Sequence, residues 1–194
     1  MTRTLSAATR DPAFSPLRLH SRSMTFQIGA VVLGTLFLAL SSWIEVPMKP
    51  FVPMTMQTFA VTVVGAFYGW RLGAVTVLAW LGEAMVGMPV LAGGAGGLAH
   101  FAGPTLGYLV SFPIMAAMVG FLAERGFTRN LVSGFLIMLA ANALCLAMGG
   151  AYLAGLIGYE QAMIHGVTPF ILGGVLKSAL AALTVKASLR LTKQ

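Results

Sequence analysis

Two charged side chains stand in sequence that otherwise leaves little room for charge. Lys177 lies inside the apolar run 169–189, and Glu83 lies near the end of the apolar run 72–86. A lysine within a membrane span costs about 2.5–3.5 kcal/mol on insertion scales, so it either snorkels to the interface or meets a partner in a cavity. A cavity partner points to an anionic or strongly polar ligand, with Glu83 beside it; a structural ion pair between Glu83 and Lys177 is the plain alternative. The segment 53–58, PMTMQT, adds Thr55, Gln57 and Thr58 where a loop enters a helix. Threonines there ordinarily cap the helix, whereas the Gln57 amide can read a ligand group. Tyr108, Asn142 and Tyr152 are further polar groups near helix ends, a position where tyrosine commonly anchors at the membrane interface.

Several other chemistries fail on spacing. His100 and His165 have no second ligand three or four residues away, and the single Cys145 excludes an internal disulfide and a cysteine metal site. The segment GGVLKS at 173–178 has a lysine before a serine, but a phosphate loop needs glycine directly before the lysine and again five residues earlier. Those positions are Leu176 and Ile171. Neither a glycine-flanked serine nucleophile nor an HExxH pair occurs. The pattern therefore offers no ATPase and no evident active site, and it calls for no metal or cofactor.

The elements that position these groups are membrane helices. Of 194 residues, 58% are hydrophobic and 9% charged, against about 25% charged in a soluble domain. The net charge of +7 does not signal nucleic-acid binding, because the basic residues cluster at the ends of apolar runs as topology signals do. Residues 1–24 read as a flexible basic tail, and 25–194 as an all-α membrane domain of six spans: 26–43, 58–68, 72–86, 105–123, 131–148 and 169–189. Three prolines within 45–57 exclude a regular helix there. Ten of the twelve basic residues fall on the tail, the turns at 69–71 and 124–130, and the last helix end, while only Lys49 falls on the opposite side. Both termini are accordingly expected in the cytoplasm.

Between the third and fourth spans lies 87–108, GMPVLAGGAGGLAHFAGPTLGY. Irregular backbone at membrane depth survives only where protein or a water-filled cavity satisfies its polar groups. Glycines 93, 94, 96 and 97 permit close approach to a ligand. The segment is therefore expected to wall or cover a binding pocket, with Gly93, Gly94, Gly96 and Gly97 as candidate ligand contacts. Ala30 and Gly34 form a small-residue face on the first helix, suited to close helix docking.

Taken together, PMTMQT, the turn GWRLG at 69–73, Glu83 with GMPVLAGGAGG at 87–97, and GPTLGY at 103–108 resemble the BioY family. Those proteins are the biotin-specific substrate-binding (S) components of energy-coupling-factor (ECF) transporters. The resemblance covers about residues 26–190. It implies a six-helix protein in a prokaryotic cell membrane that binds biotin near the outer face. Partners are implied as well: a transmembrane coupling protein and two cytoplasmic ATPases, with Ala30 and Gly34 on the docking face. It makes Gln57, Glu83, Tyr108, Asn142 and Lys177 candidate biotin contacts. Lys177 would neutralise a polar end of the ligand, most simply the carboxylate, and Gln57, Glu83 or Asn142 would accept from the ureido N–H groups. In the family an aspartate commonly precedes the lysine by three residues; here that position is Gly174, which removes one presumed ureido acceptor. Another vitamin as ligand, an intramembrane enzyme using Glu83, His100 or His165, and a ligand-free scaffold are the competing readings.

Overall fold

The structure, a computed structural model, describes residues 22–46 and 52–191. Most of the expected basic tail, together with Lys49 and Lys193, lies outside the described residues. Helix α1 (Met24–Trp43) is followed by a two-stranded antiparallel hairpin, β1 (Glu45–Val46) and β2 (Met54–Thr55), with Glu45 opposite Thr55. Helix α2 spans Gln57–Met85, and α3 spans Leu106–Glu124. The glycine-rich segment between them is irregular apart from 3-10 turns at Ala92–Gly94 and Leu98–Phe101. Helix α4 (Leu131–Ile157), the single turn α5 (Tyr159–Ala162), a π-helical turn (Met163–Val167) and α6 (Thr168–Leu191) complete the bundle.

Five of these helical stretches are long and apolar enough to cross a membrane, where the sequence pattern predicts six spans. The difference lies in α2, which contains both the expected second and third helices. The expected turn is compressed into one residue, Gly69, whose φ of 79° and ψ of 176° are not helical. That positive φ favours glycine. The second half of α2 restarts at once, because the Glu124 carboxylate at the end of α3 accepts from Trp70 N–H at 3.2 Å. Gly120 permits this approach: a Cβ there would lie 2.5 Å from the Trp70 nitrogen. Higher in the bundle, a Cβ at Gly65 would lie 2.5 Å from the Ala116 carbonyl oxygen, so α2 and α3 touch backbone to backbone.

The expected fifth helix, 131–148, continues to Ile157, and most of the expected loop 149–168 is helical. Gly149 and Gly150 do not end α4. Gly149 sits under the Tyr108 ring, and a Cβ at Gly150 would lie 2.6 Å from Val167 Cγ2. The helix ends at Gly158, with φ 85°, as a C-terminal glycine does.

The small-residue face of α1 also has a different neighbour from the one expected. Ala30 and Gly34 are buried within the bundle. Tyr68 OH donates to the Ala30 carbonyl at 2.7 Å, and a Cβ at Gly34 would lie 2.5 Å from Thr76 Cγ2. This face seats α2, and Ala30 also borders a surface groove with Phe26, Gly29, Leu33 and Tyr68; the exposed side of α1 carries Ile28, Val32, Leu33 and Leu36.

The two ends of the bundle differ in charge. One end gathers Arg71 and Glu124 beside the start of α1, and Lys186 Nζ donates to the Arg129 carbonyl at 2.7 Å. The other end carries the hairpin and the glycine-rich segment.

Candidate functional site

A cavity of about 420 Å³ opens beneath the glycine-rich segment, within the range of about 300–1,000 Å³ usual for small-molecule sites. The hairpin and the start of α2 supply one wall through Val52, Thr55, Gln57 and Thr58. The glycine-rich segment supplies the roof through Leu91, Ala92, Ala95 and His100, and α3 contributes Tyr108 and Phe112. Cys145 and Leu146 of α4 and Phe170 of α6 close the far side. The surface is mostly apolar with a few polar groups, the usual composition of a ligand pocket. Tyr108, Phe112 and Phe170 supply aromatic rings, and no methionine is among the lining residues.

Most polar groups of the wall already have partners. Gln57 Oε1 accepts from Thr55 Oγ1 at 3.1 Å, and Gln57 Nε2 donates to Ser42 Oγ at 3.1 Å. Ser42 in turn donates to the Leu38 carbonyl at 2.7 Å. The Gln57 amide thus bolts α2 to α1. Thr55 Oγ1 accepts from Gln57 N–H at 3.3 Å, although the N-cap position is Met56, which makes no side-chain cap bond. Tyr108 OH donates to the Gly166 carbonyl at 2.7 Å and ties α3 to the π-helical turn. Thr58 Oγ1 is sealed from solvent and has no partner among the described residues. A buried hydroxyl left unpaired is costly.

The roof is fixed by indole donors. Trp43 Nε1 donates to the Pro89 carbonyl at 2.9 Å and Trp80 Nε1 to the Val90 carbonyl at 3.0 Å. Trp80 is fully buried and stacks on Phe112, with centroids 6.0 Å apart. Gly97 N–H donates to the Ala84 carbonyl at 2.7 Å. Gly93, Gly94, Gly96 and Gly97 are not on the cavity wall; Ala92, Ala95 and Ala99 are. The glycines instead permit the turns, with φ of 64° at Gly93 and 72° at Gly94.

A family model described as the BioY family matches residues 13–194. The chain belongs to the BioY family. It is 38% identical over 158 residues to the probable biotin transporter BioY of Pyrococcus horikoshii, covering 79% of this chain and 91% of that protein. It is 37% identical over 145 residues to the biotin transporter BioY of Rhizobium etli, covering 70% and 77%. The crystal structure of the S-component for biotin from an ECF-type ABC transporter shares the fold, with a TM-score of 0.76 at 24% identity over 90% of this chain and 96% of that one. BioY membership places the chain among transporter components, not enzymes.

The remaining candidates flank the cavity. Lys177 is half-buried on α6 and is not on the wall; its Nζ donates to the Thr55 carbonyl at 3.0 Å. Asn142 Nδ2 donates to the Met138 carbonyl at 3.0 Å and to Ser178 Oγ at 3.1 Å. Because Ser178 itself donates to the Gly174 carbonyl at 2.7 Å, this network sets the amide orientation. Asn142 lies one helical turn before the wall residues Cys145 and Leu146. A Cβ at Gly174, the position of the missing BioY-type aspartate, would lie 3.7 Å from Asn142 Cβ. Glu83 is half-buried at the root of the roof, off the wall. Among the described residues no ion pair joins it to Lys177. No cluster of metal-ligating side chains occurs among the described residues.

Sequence reasoning passed over Phe112, Leu146 and Phe170, weighed His100 only as a metal ligand or enzyme residue, and treated Thr58 as a helix cap. Phe112 follows Tyr108 by one turn and Leu146 follows Asn142 by one turn, so helical spacing from the polar residues carried the signal. His100 sat inside the quoted glycine-rich segment, where the search for metal spacing set it aside.

Proposed function

We propose that the chain is the S component of a biotin uptake transporter, binding biotin in the cavity beneath the glycine-rich roof. What carries this reading is the cavity itself: a mostly apolar space of ligand size beneath the glycine-rich segment, in a chain of the BioY family. Biotin has an apolar ring and chain, a ureido group with two N–H donors and a carbonyl, and a carboxylate. The apolar walls accommodate the ring and chain.

Asn142 presents its free Oδ1 as an acceptor for a ureido N–H, replacing the aspartate absent at Gly174. Lys177 retains two donors beyond its bond to Thr55 and neutralises a polar end of the ligand. Its place beside Ser178, the partner of Asn142, suits the ureido carbonyl. The roof glycines let the segment open and close over the ligand.

In the membrane, the break at Gly69 divides α2 into two short spans, for six in all. The basic end faces the cytoplasm with both termini, and the roofed cavity lies near the outer face. Energy for inward delivery comes from two cytoplasmic ATPases acting through a transmembrane coupling protein.

Radiolabelled biotin binding to the purified protein tests the proposal. Saturable binding that riboflavin and thiamine do not displace is expected; absence of saturable biotin binding sinks it. Lys177→Ala is expected to weaken binding at least tenfold, the scale of a lost charge-assisted hydrogen bond of about 1.5–3 kcal/mol. Parent-like affinity would remove Lys177 from the site while leaving the family assignment intact.

A further inference from the structure

We propose that His100 binds the carboxylate of the ligand at the mouth of the cavity, so that biotin enters ureido ring first; this rests on the biotin reading above. Among the residues lining the cavity, His100 is the one able to carry positive charge, since no lysine or arginine is on the wall. Lys177 lies behind that wall, bonded to the Thr55 carbonyl.

The position of His100 is set by backbone. The 3-10 turn Leu98–Phe101 places it in the roof, and its N–H donates to the Gly97 carbonyl at 3.2 Å. Its imidazole makes no hydrogen bond among the described residues and is exposed, as is neighbouring Ala99. The acidic groups nearest the roof, Glu45 beside Gly93 and Glu83 at its root, are not on the wall and do not compete there.

The cavity is therefore polarised. Its wall is mostly apolar, and His100, exposed in the roof, offers a solvated ring with an N–H. A carboxylate driven inward would lose water and meet Lys177, which lies off the wall and is already bonded to the Thr55 carbonyl. At the mouth it keeps water and gains a charge-assisted hydrogen bond from the imidazole. A neutral ureido group has N–H donors to use Asn142 Oδ1 instead.

The test pairs two ligands with three proteins. Biotin and biotin primary amide, which lacks only the carboxylate charge, are titrated against the parent, His100→Ala and His100→Lys. His100→Ala is expected to weaken biotin binding about three- to tenfold, as for a half-solvated charge contact, and to leave the amide within about twofold. His100→Lys is expected to restore biotin affinity to within about threefold of the parent. Equal loss of both ligands, loss of neither, or failure of lysine to restore biotin binding overturns the assignment. A parent protein that binds neither ligand refutes the biotin reading itself, a result distinct from all of these.

Discussion

The two ends of this bundle both interrupt helical backbone with glycine, and they do opposite things with the interruption. At the basic end, the break at Gly69 is filled: Glu124 accepts from Trp70 N–H, and Gly120 brings α3 against the broken backbone. At the roofed end, the irregular segment is held at its margins by Trp43, Trp80 and Gly97 and leaves a cavity of about 420 Å³. A glycine in a membrane bundle can therefore serve contact or space. What separates the two cases is whether a neighbouring backbone occupies the room a Cβ would have taken.

The largest expected effect falls at the filled end. Gly120→Val drives a branched side chain into the Gly69–Trp70 backbone and is expected to cost about 3 kcal/mol, read as a lower thermal unfolding midpoint in detergent. A variant as stable as the parent would mean that the two helices are not in backbone contact. Next comes the roof anchor. Trp80→Phe removes the bond to Val90 and some buried volume, for a loss of about 2 kcal/mol. It should also quicken biotin release and hydrogen exchange across 90–97, whereas Gly120→Val should leave release from folded protein unchanged; matching release rates for the two would dissolve the distinction between the ends.

Removing the cap with Glu124→Ala is expected to lower stability by about 1 kcal/mol with no change in biotin affinity. A weakened affinity there would show that the basic end is coupled to the pocket. The smallest stability effect is at Thr58. Thr58→Val replaces an unpartnered sealed hydroxyl by a methyl group, so stability should stay within about 1 kcal/mol of the parent or rise. Biotin affinity should stay within about twofold, because the sealed hydroxyl does not face the cavity. A fall of about fivefold or more would show that the Thr58 hydroxyl turns to meet the ligand.

The helical, membrane-spanning character of the chain was legible because hydrophobic runs and their basic ends are set by the bilayer, independent of tertiary contacts. The first span, the turn after Glu124 and the start of the last helix near Thr168 all followed from that pattern. The role of particular glycines was not legible. Gly69 was read as a turn and is one, since its φ and ψ are not helical and Gly73 packs against Gly65; what could not be read is that its cap comes from Glu124 on another helix. Gly149 and Gly150 were read as the start of a loop, yet they are where Tyr108 and Val167 press on α4. Composition cannot distinguish a glycine that ends a helix from one that another helix touches. For the cavity, the motif containing Thr55, Gln57 and Thr58 pointed to one wall. Which of its polar groups was free could not be read, since the partners of Gln57 lie at Ser42 and Thr55 and only the folded chain brings Ser42 into range.

The bond from Trp43 to the Pro89 carbonyl gives the roof a mechanical dependence on the first helix. Trp43 is the last residue of α1, so a tilt of that helix strains or relieves a tether on the segment above the ligand. One such bond, at about 1 kcal/mol, biases an open–closed equilibrium about fivefold. On the biotin reading proposed above, a change in the tilt of α1 would alter how long the ligand stays without touching the cavity wall.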